Sequence, residues 1–238
     1  MLFELFFKSM EDHIDIPLVI FFVITAVVGY LLGSLNFGII FSRLLFKDDV
    51  RNSGSGNAGA TNMTRTYGKK AGILTFACDG AKTAVAMATS YLFMPPHYVV
   101  MGMFVAGISC IVGHTYPIFF KFKGGKGVAC FAVLVLMTSI AMRIWYLFLI
   151  LFVMFAIIVI GTKFVSLGSI VCALVYPVLL NRINSMVEDN PLVSIEIFAV
   201  LAGLFVVFQH RSNLVRLFNG TENKMNLFKK KKGSDEAK

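Results

Sequence analysis

The stretch VACFAVLVLMTSIAMRIWYLFLILFVMFAIIVIGT, residues 128–162, carries a single charged residue, Arg143, in 35 positions. A helix that crosses a bilayer takes about 20 mostly apolar residues. The stretch is therefore too long for one crossing and long enough for two, joined by a tight turn at that arginine. Runs of the same character flank it at 17–41, 72–93, 98–120 and 192–208, with a shorter one at 167–180. Seven candidate helices result. Re-entrant geometry for the two shortest would leave five.

The rest of the composition agrees. Of 238 residues, 57% are hydrophobic, 24 are Phe and only 15% are charged, and the mean hydropathy is +0.78. A soluble domain carries about 25% charged residues to coat its core, so a soluble globular protein is excluded. The expected class is an all-α integral membrane protein, with a single multi-pass domain over 1–210 and a cytoplasmic motif with a polybasic tail over 211–238. No cleavable signal is expected, because the N-terminus lacks a basic region before its apolar run. Cys78, Cys110, Cys130 and Cys172 form no CxxC pair and read as small apolar residues.

Twenty-two Lys and Arg against 13 Asp and Glu give a formal charge of +9. In a soluble chain that excess would fit nucleic acid; in a membrane protein it is what cytoplasmic loops require. With seven crossings, segments 43–70 and 121–127, Lys163 and the tail from Arg211 share one side and hold 18 of the 22 basic residues. Lys8, Arg143, Arg182, Glu188 and Asp189 fall on the other. The expectation is an N-terminus outside and a C-terminus in the cytoplasm, and an even number of helices would break this agreement. The last residues, LFKKKKGSDEAK, suit anionic lipid headgroups.

Three polar stretches gather on the basic side. The first is RNSGSGNAGATNMTR, residues 51–65. Gly54-Ser-Gly56-Asn-Ala-Gly59 fits GxGxxG literally, but that turn needs a preceding strand within a βαβ unit, and a membrane helix precedes it here. What survives is physical. Gly54 and Gly56 let the backbone approach an anion and turn N–H groups towards it. Ser55, Asn57, Thr61 and Asn62 add hydroxyl and amide groups, and Arg65 adds a planar fork for phosphate. A flexible polar loop accounts for the same residues equally well.

The second is GHTYPIFFKFKGGKGVA, residues 113–129, in which Lys126 sits among Gly124, Gly125 and Gly127 just before an apolar run. This is not the GxxxxGK[ST] loop, yet it places backbone N–H groups, a helix start and an ammonium around one anion. Lys121 and Lys123 read more simply as interfacial charges, Lys123 staying among the binding candidates. His114 is also a binding candidate, although a hydrogen-bonded structural histidine explains it more simply. The third is QHRSNLVRLFNGTE, residues 209–222, where His210 and Asn213 leave the last helix at the depth of the two glycine loops. His210 could act as general base or as a donor to a developing oxyanion; an interfacial His/Arg pair on lipid phosphates is the alternative. Asp79 and Lys82, at i and i+3, face one side of their helix and form either a structural ion pair that positions the glycine loop or part of the site.

These stretches resemble, in order, the three motifs of the bacterial acyl-phosphate-dependent glycerol-3-phosphate acyltransferases. GSLNFG (33–38) with SGSGNAGATNMTR (53–65) is similar to the first, residues 113–129 to the second, and HRSNLVRLFNGTE (210–222) to the third. The resemblance implies a seven-helix, N-out fold in the bacterial inner membrane. It also implies acyl transfer from acyl-phosphate to the 1-hydroxyl of sn-glycerol 3-phosphate, giving lysophosphatidic acid and phosphate. The partners it implies are those two substrates, membrane lipids and an upstream phosphate acyltransferase that makes acyl-phosphate, with no cofactor, metal or nucleic acid. On this resemblance the catalytic set is Ser55, Arg65, Lys126, His210 and Asn213. Asn36 stands where many relatives have proline, and Cys130 where threonine is common. The runner-up is a transporter or flippase for phosphorylated metabolites or lipids, which would favour interrupted helices in two repeated halves. No internal repeat is evident. Metal-dependent CDP-alcohol phosphotransferases need several intramembrane aspartates, and only Asp79 is so placed. The HxxxxD acyltransferases are excluded because none of the four histidines has an Asp at that spacing.

Overall fold

The computed structural model describes residues 16–187 and 193–225. The expectations resting on Lys8, Glu188, Asp189 and the tail from residue 226 lie outside the described residues. Among them eleven α-helices follow in order: α1 (Ile16–Ser34), α2 (Phe37–Phe46), α3 (Ala60–Tyr67), α4 (Lys69–Ala88), α5 (Ser90–Phe93), α6 (Val99–Thr115), α7 (Val128–Ala141), α8 (Tyr146–Thr162), α9 (Val165–Val187), α10 (Val193–Gln209) and α11 (Arg211–Phe218). No strand occurs among the described residues. The fold is the all-helical one expected.

Each apolar run contains a helix, and the break at Arg143 falls between α7 and α8, where that residue adopts φ +60°. Three stretches are long and apolar enough to cross a membrane: Pro17–Phe46, Pro96–Phe120 and Val165–Val187. The pair α10 and α11, bent by 57°, makes a fourth. The helices α7 and α8 are shorter but apolar, and Asp79 and Lys82 lower the apolarity of α4. Two readings need correction. The run at 167–180 is not a short segment, because polar Asn181, Arg182 and Asn184 continue the α9 helix to Val187. The first run is not one continuous helix, because it breaks at Leu35 and Asn36.

That break has a built-in repair. The carbonyls of Gly33 and Leu35 accept from Lys82 Nζ at 2.9 and 2.7 Å. Asn36 caps α2 by accepting from the Ile39 N–H at 3.1 Å, and its amide donates to the His114 carbonyl at 3.2 Å. The asparagine that departs from the common proline thus joins two helices.

Helices pack through small residues, as lipid-embedded bundles do. A Cβ on Gly29 would lie 2.6 Å from the Ala106 carbonyl oxygen, and one on Gly33 would lie 2.2 Å from that of Cys110. The backbones of α1 and α6 therefore touch along a GxxxG edge. Pro177 inside α9 cannot donate to the Ala173 carbonyl, and Gly203 of α10 brings its backbone against that oxygen. The core runs through α4 and α6–α10, with Phe104, Leu134, Leu147 and Tyr176 fully buried. Outward residues are apolar instead of polar: Phe152, Ile157 and Ile160 of α8 are exposed.

We expect Gly33→Val to force α1 off α6 and to destabilise the protein by about 1–3 kcal/mol, the usual range for overpacking. Thermal unfolding in detergent should show a lowered midpoint; an unchanged midpoint would sink the close-packed edge.

Candidate active site

The first glycine loop is shaped by one carboxamide. Asn62, in the first turn of α3, accepts the Ser55 N–H at 2.9 Å and donates to the carbonyls of Val50 and Ser53 at 3.0 and 2.9 Å. Gly54 takes φ +62°, and a Cβ there would lie 2.2 Å from the Asn62 oxygen, so only glycine fits. Ser55 is left exposed at the tip, its hydroxyl without a partner among the described residues. Arg65, one turn into α3 and also exposed, pairs with no carboxylate among them.

The second loop folds back on α6. The N–H groups of Gly124 and Gly125 donate to the carbonyls of Thr115 and His114 at 3.0 and 3.1 Å. A Cβ on Gly125 would lie 2.1 Å from His114 Nε2. These glycines are therefore needed for contact with the α6 end, and their N–H groups are not free for an anion. Gly127, at φ +76°, turns the chain into α7 and leaves Lys126 half-buried beside it. His114 is itself fixed, its Nδ1 3.1 Å from Lys82 Nζ and 3.4 Å from Asp79 Oδ1, while Lys82 and Asp79 pair at 2.8 Å. Asp79 and Lys82 thus form the ion pair, and Asp79 also lines the cavity described below.

The third stretch bends at His210 between α10 and α11. Lys126 Nζ donates to Asn213 Oδ1. Asn213 Nδ2 donates to Glu222 Oε1 at 2.7 Å, which also accepts from Ser166 at 2.9 Å, and Arg216 Nε donates to Glu222 Oε2 at 2.8 Å. Burial by itself would raise the Glu222 carboxyl, but these three donors outweigh it and hold it below the usual carboxylate range. Burial, followed by repulsion from Arg216 and Arg65, pushes Lys126 down to about 8 against the opposing pull of Glu222.

All three stretches face one cavity of about 480 Å³. Of the residues expected at the site, Ser55, Asn57, Thr61, Asn62, Arg65, His114, Lys126, Gly127, His210 and Asn213 line it. Gly54, Gly56, Lys123, Gly124 and Gly125 do not. The first turns of α3 (Ala60, Thr61) and α7 (Val128, Ala129) both line it, so two helix N-termini bring unpaired N–H groups to the same space. Arg216 and Glu222 belong to it although the sequence reading assigned them no role; their signal was position, three and nine residues past Asn213. Ile73, Phe76, Phe155 and Val159 form an apolar flank, and Ile73 and Phe76 are also exposed on the outer surface.

The ammonium of Lys126 is present below about pH 8 and is lost as pH rises through it. Titration with inorganic phosphate from about pH 7 to about pH 9 should therefore show weakening affinity, and Lys126→Arg should flatten the curve. Affinity that stays level to pH 9 in the unaltered protein would remove Lys126 from the anion site.

Comparison with known proteins adds an independent finding. The family model for glycerol-3-phosphate acyltransferase matches residues 23–220. A glycerol-3-phosphate acyltransferase of Finegoldia magna is 36% identical over 210 residues, covering 87% of this chain and 97% of the relative. One from Thermoanaerobacter sp. is 40% identical over 205 residues, covering 85% and 95%. The crystal structure of PlsY (YgiH), an integral membrane glycerol 3-phosphate acyltransferase, in its glycerol 3-phosphate form is similar with a TM-score of 0.74 and 32% identity, covering 86% of this chain and 96% of that one. Its lysophosphatidic acid form gives 0.71 and 31%.

Proposed function

The chain belongs to the glycerol-3-phosphate acyltransferase family, and from that premise we propose acyl-phosphate as its donor and the cavity described above as its active site. It is a multi-pass membrane acyltransferase that converts glycerol 3-phosphate to lysophosphatidic acid. The observation that carries the donor assignment is the shape of the charge. Lys126, Arg65, Arg216 and two helix N-termini line a single cavity whose other flank is apolar. That suits two phosphates and one acyl chain, and the site residues include no adenine-binding signature. An upstream phosphate acyltransferase would supply the donor.

The reaction needs little from the protein beyond placement. Acyl-phosphate is a mixed anhydride and already activated. The 1-hydroxyl oxygen of glycerol 3-phosphate attacks the acyl carbon, the ester C–O bond forms, and phosphate departs with the electrons of the anhydride bond. Holding both anions in attack geometry and stabilising the oxyanion are the protein's contributions. Arg65 and Ser55 offer uncommitted donors at the rim, while Lys126 and the two helix starts hold charge deeper in.

The hydroxyl proton goes to a substrate phosphate in this reading. His210 Nδ1 is 2.8 Å from the Val206 carbonyl, which only accepts, so Nδ1 carries the ring hydrogen and Nε2 presents a lone pair. A phosphate monoester has a second pKa of about 6, so its dianion can take the proton at neutral pH. His210 then orients the hydroxyl as an acceptor. We expect His210→Ala to lower kcat by about tenfold, the worth of one hydrogen bond. A loss of about 10³ or more would restore the imidazole as obligatory base.

The basic-residue asymmetry supports a site on the cytoplasmic face of the bacterial inner membrane, with the N-terminus outside. One experiment tests donor and orientation together. Sealed inside-out vesicles given palmitoyl phosphate and the membrane-impermeant glycerol 3-phosphate should release phosphate. Right-side-out vesicles should do so only after permeabilisation, and palmitoyl-CoA should not replace the donor. Turnover in sealed right-side-out vesicles would reverse the orientation, and turnover with palmitoyl-CoA alone would overturn the donor.

A further inference from the structure

Transfer between two bound substrates depends steeply on their separation and angle, so whatever fixes the first glycine loop against the second bears on the rate. Arg51, four residues before Ser55, bridges them. Its Nε and Nη2 donate to Asp49 Oδ1 and Oδ2 at 2.9 and 2.7 Å. Its Nη1 donates across to the second loop, to the carbonyls of Phe120 at 3.0 Å and Lys123 at 2.9 Å. Lys123 stands three residues before Lys126, which lines the cavity. One planar group thus ties the Ser55 loop to the Lys126 turn. The fork is needed for this, because a lysine offers one flexible nitrogen in place of three fixed ones.

The loop itself has other support. Val50, Ala58 and Met63 are buried together with Ile39 and Ala71, and Asn62 holds the backbone between residues 50 and 55. Phe120 of the second loop also packs against this cluster, so loss of the bridge would loosen the register between the loops more than it would disturb their folding. The structure also supplies a control. Arg43 donates to the same Asp49 carboxylate at 2.9 and 3.3 Å, but its side chain is 51% exposed. It lies 5.5 Å over the Phe120 ring without donating to a carbonyl of the second loop.

We propose that Arg51 is a positioning residue for acyl transfer, setting the distance between the Ser55–Arg65 loop and the Lys126 turn and with it the placement of one substrate against the other. This rests on the acyl-transfer reading above. A residue that only held the loop folded would lower thermal stability and disturb substrate binding and turnover alike. A positioning residue acts on kcat and leaves each substrate's own contacts in place.

The test compares wild type, Arg51→Lys and Arg43→Gln with palmitoyl phosphate and glycerol 3-phosphate, together with thermal midpoints. We expect Arg51→Lys to lose about tenfold to hundredfold in kcat with both KM values within about threefold of wild type. Arg43→Gln should keep wild-type kcat. The inference is overturned by an Arg51→Lys enzyme with wild-type kcat, by a rise in KM at constant kcat, or by Arg43→Gln losing as much as Arg51→Lys. Should Arg51→Lys fail to fold, Asp49→Asn carries the test, because it loosens the orientation of Arg51 and leaves both carbonyl contacts available. A kcat reduced about fivefold at unchanged KM is expected there, and a wild-type kcat would overturn the inference. An inactive wild type refutes the donor assignment instead, so the two failures are distinguishable.

Discussion

Breaking a helix at membrane depth exposes carbonyls that lipid cannot hydrate, and the ammonium of Lys82 is what makes the break between α1 and α2 tolerable. It reaches the carbonyls of Gly33 and Leu35, the Asp79 carboxylate and His114 Nδ1, all within 3.1 Å. A buried charge of this kind costs several kcal/mol unless its partners surround it, and here they do. Removing it would strand both carbonyls and leave Asp79 with the Phe37 N–H and His114 Nδ1, each at 3.4 Å. The same contact holds His114 in place, and Gly125 rests on the His114 ring. Helix break, ion pair and glycine turn therefore stand or fall as a unit, and the far end of that unit is Lys126.

Much of this was legible in the sequence, for reasons that differ by element. Arg143 marked the turn between α7 and α8 because a lone charge within 35 residues has to reach the edge of the bilayer. The α1 break was not legible. Gly33-Ser-Leu-Asn36 is apolar enough to continue a helix, and its cause lies on α4, some fifty residues away. The full length of α9 was hidden because hydropathy ends at Leu180, whereas backbone hydrogen bonding runs on through Asn181 and Arg182. At the site, the three stretches announced their convergence but not their division of labour. Gly124-Gly125-Lys126 looks like an anion turn, yet two of its N–H groups belong to the α6 carbonyls. Asn62 looks like a ligand group, yet its amide holds the loop backbone together. Pairing across distant segments, as between Ser166 and Glu222, has no local periodicity to betray it.

The site's cations would repel one another without a counter-charge. Glu222 supplies it, taking hydrogen bonds from Arg216, Asn213 and Ser166 while leaving Lys126 on the opposite side of Asn213. The carboxylate offsets part of the repulsion among the three basic side chains around the cavity; Lys126, depressed first by burial, is lowered further by Arg216 and Arg65. On the function proposed above, such a site would attract dianions, because each phosphate would relieve repulsion among the cations.

Ile73 and Phe76 line the cavity and are at the same time 68% and 48% exposed on the outer surface. In the membrane that surface faces lipid, so hydrocarbon tails of the bilayer complete the wall that the protein leaves open. With acyl-phosphate as the proposed donor, the acyl substrate need never pass through water to arrive, nor does its single-chained product need to do so to leave. For that substrate the relevant concentration is its mole fraction in the leaflet, and the encounter is two-dimensional. Glycerol 3-phosphate, by contrast, is sampled from bulk solution. One catalytic event thus joins two phases, and the concentration of one reactant in its phase can change without altering the supply of the other.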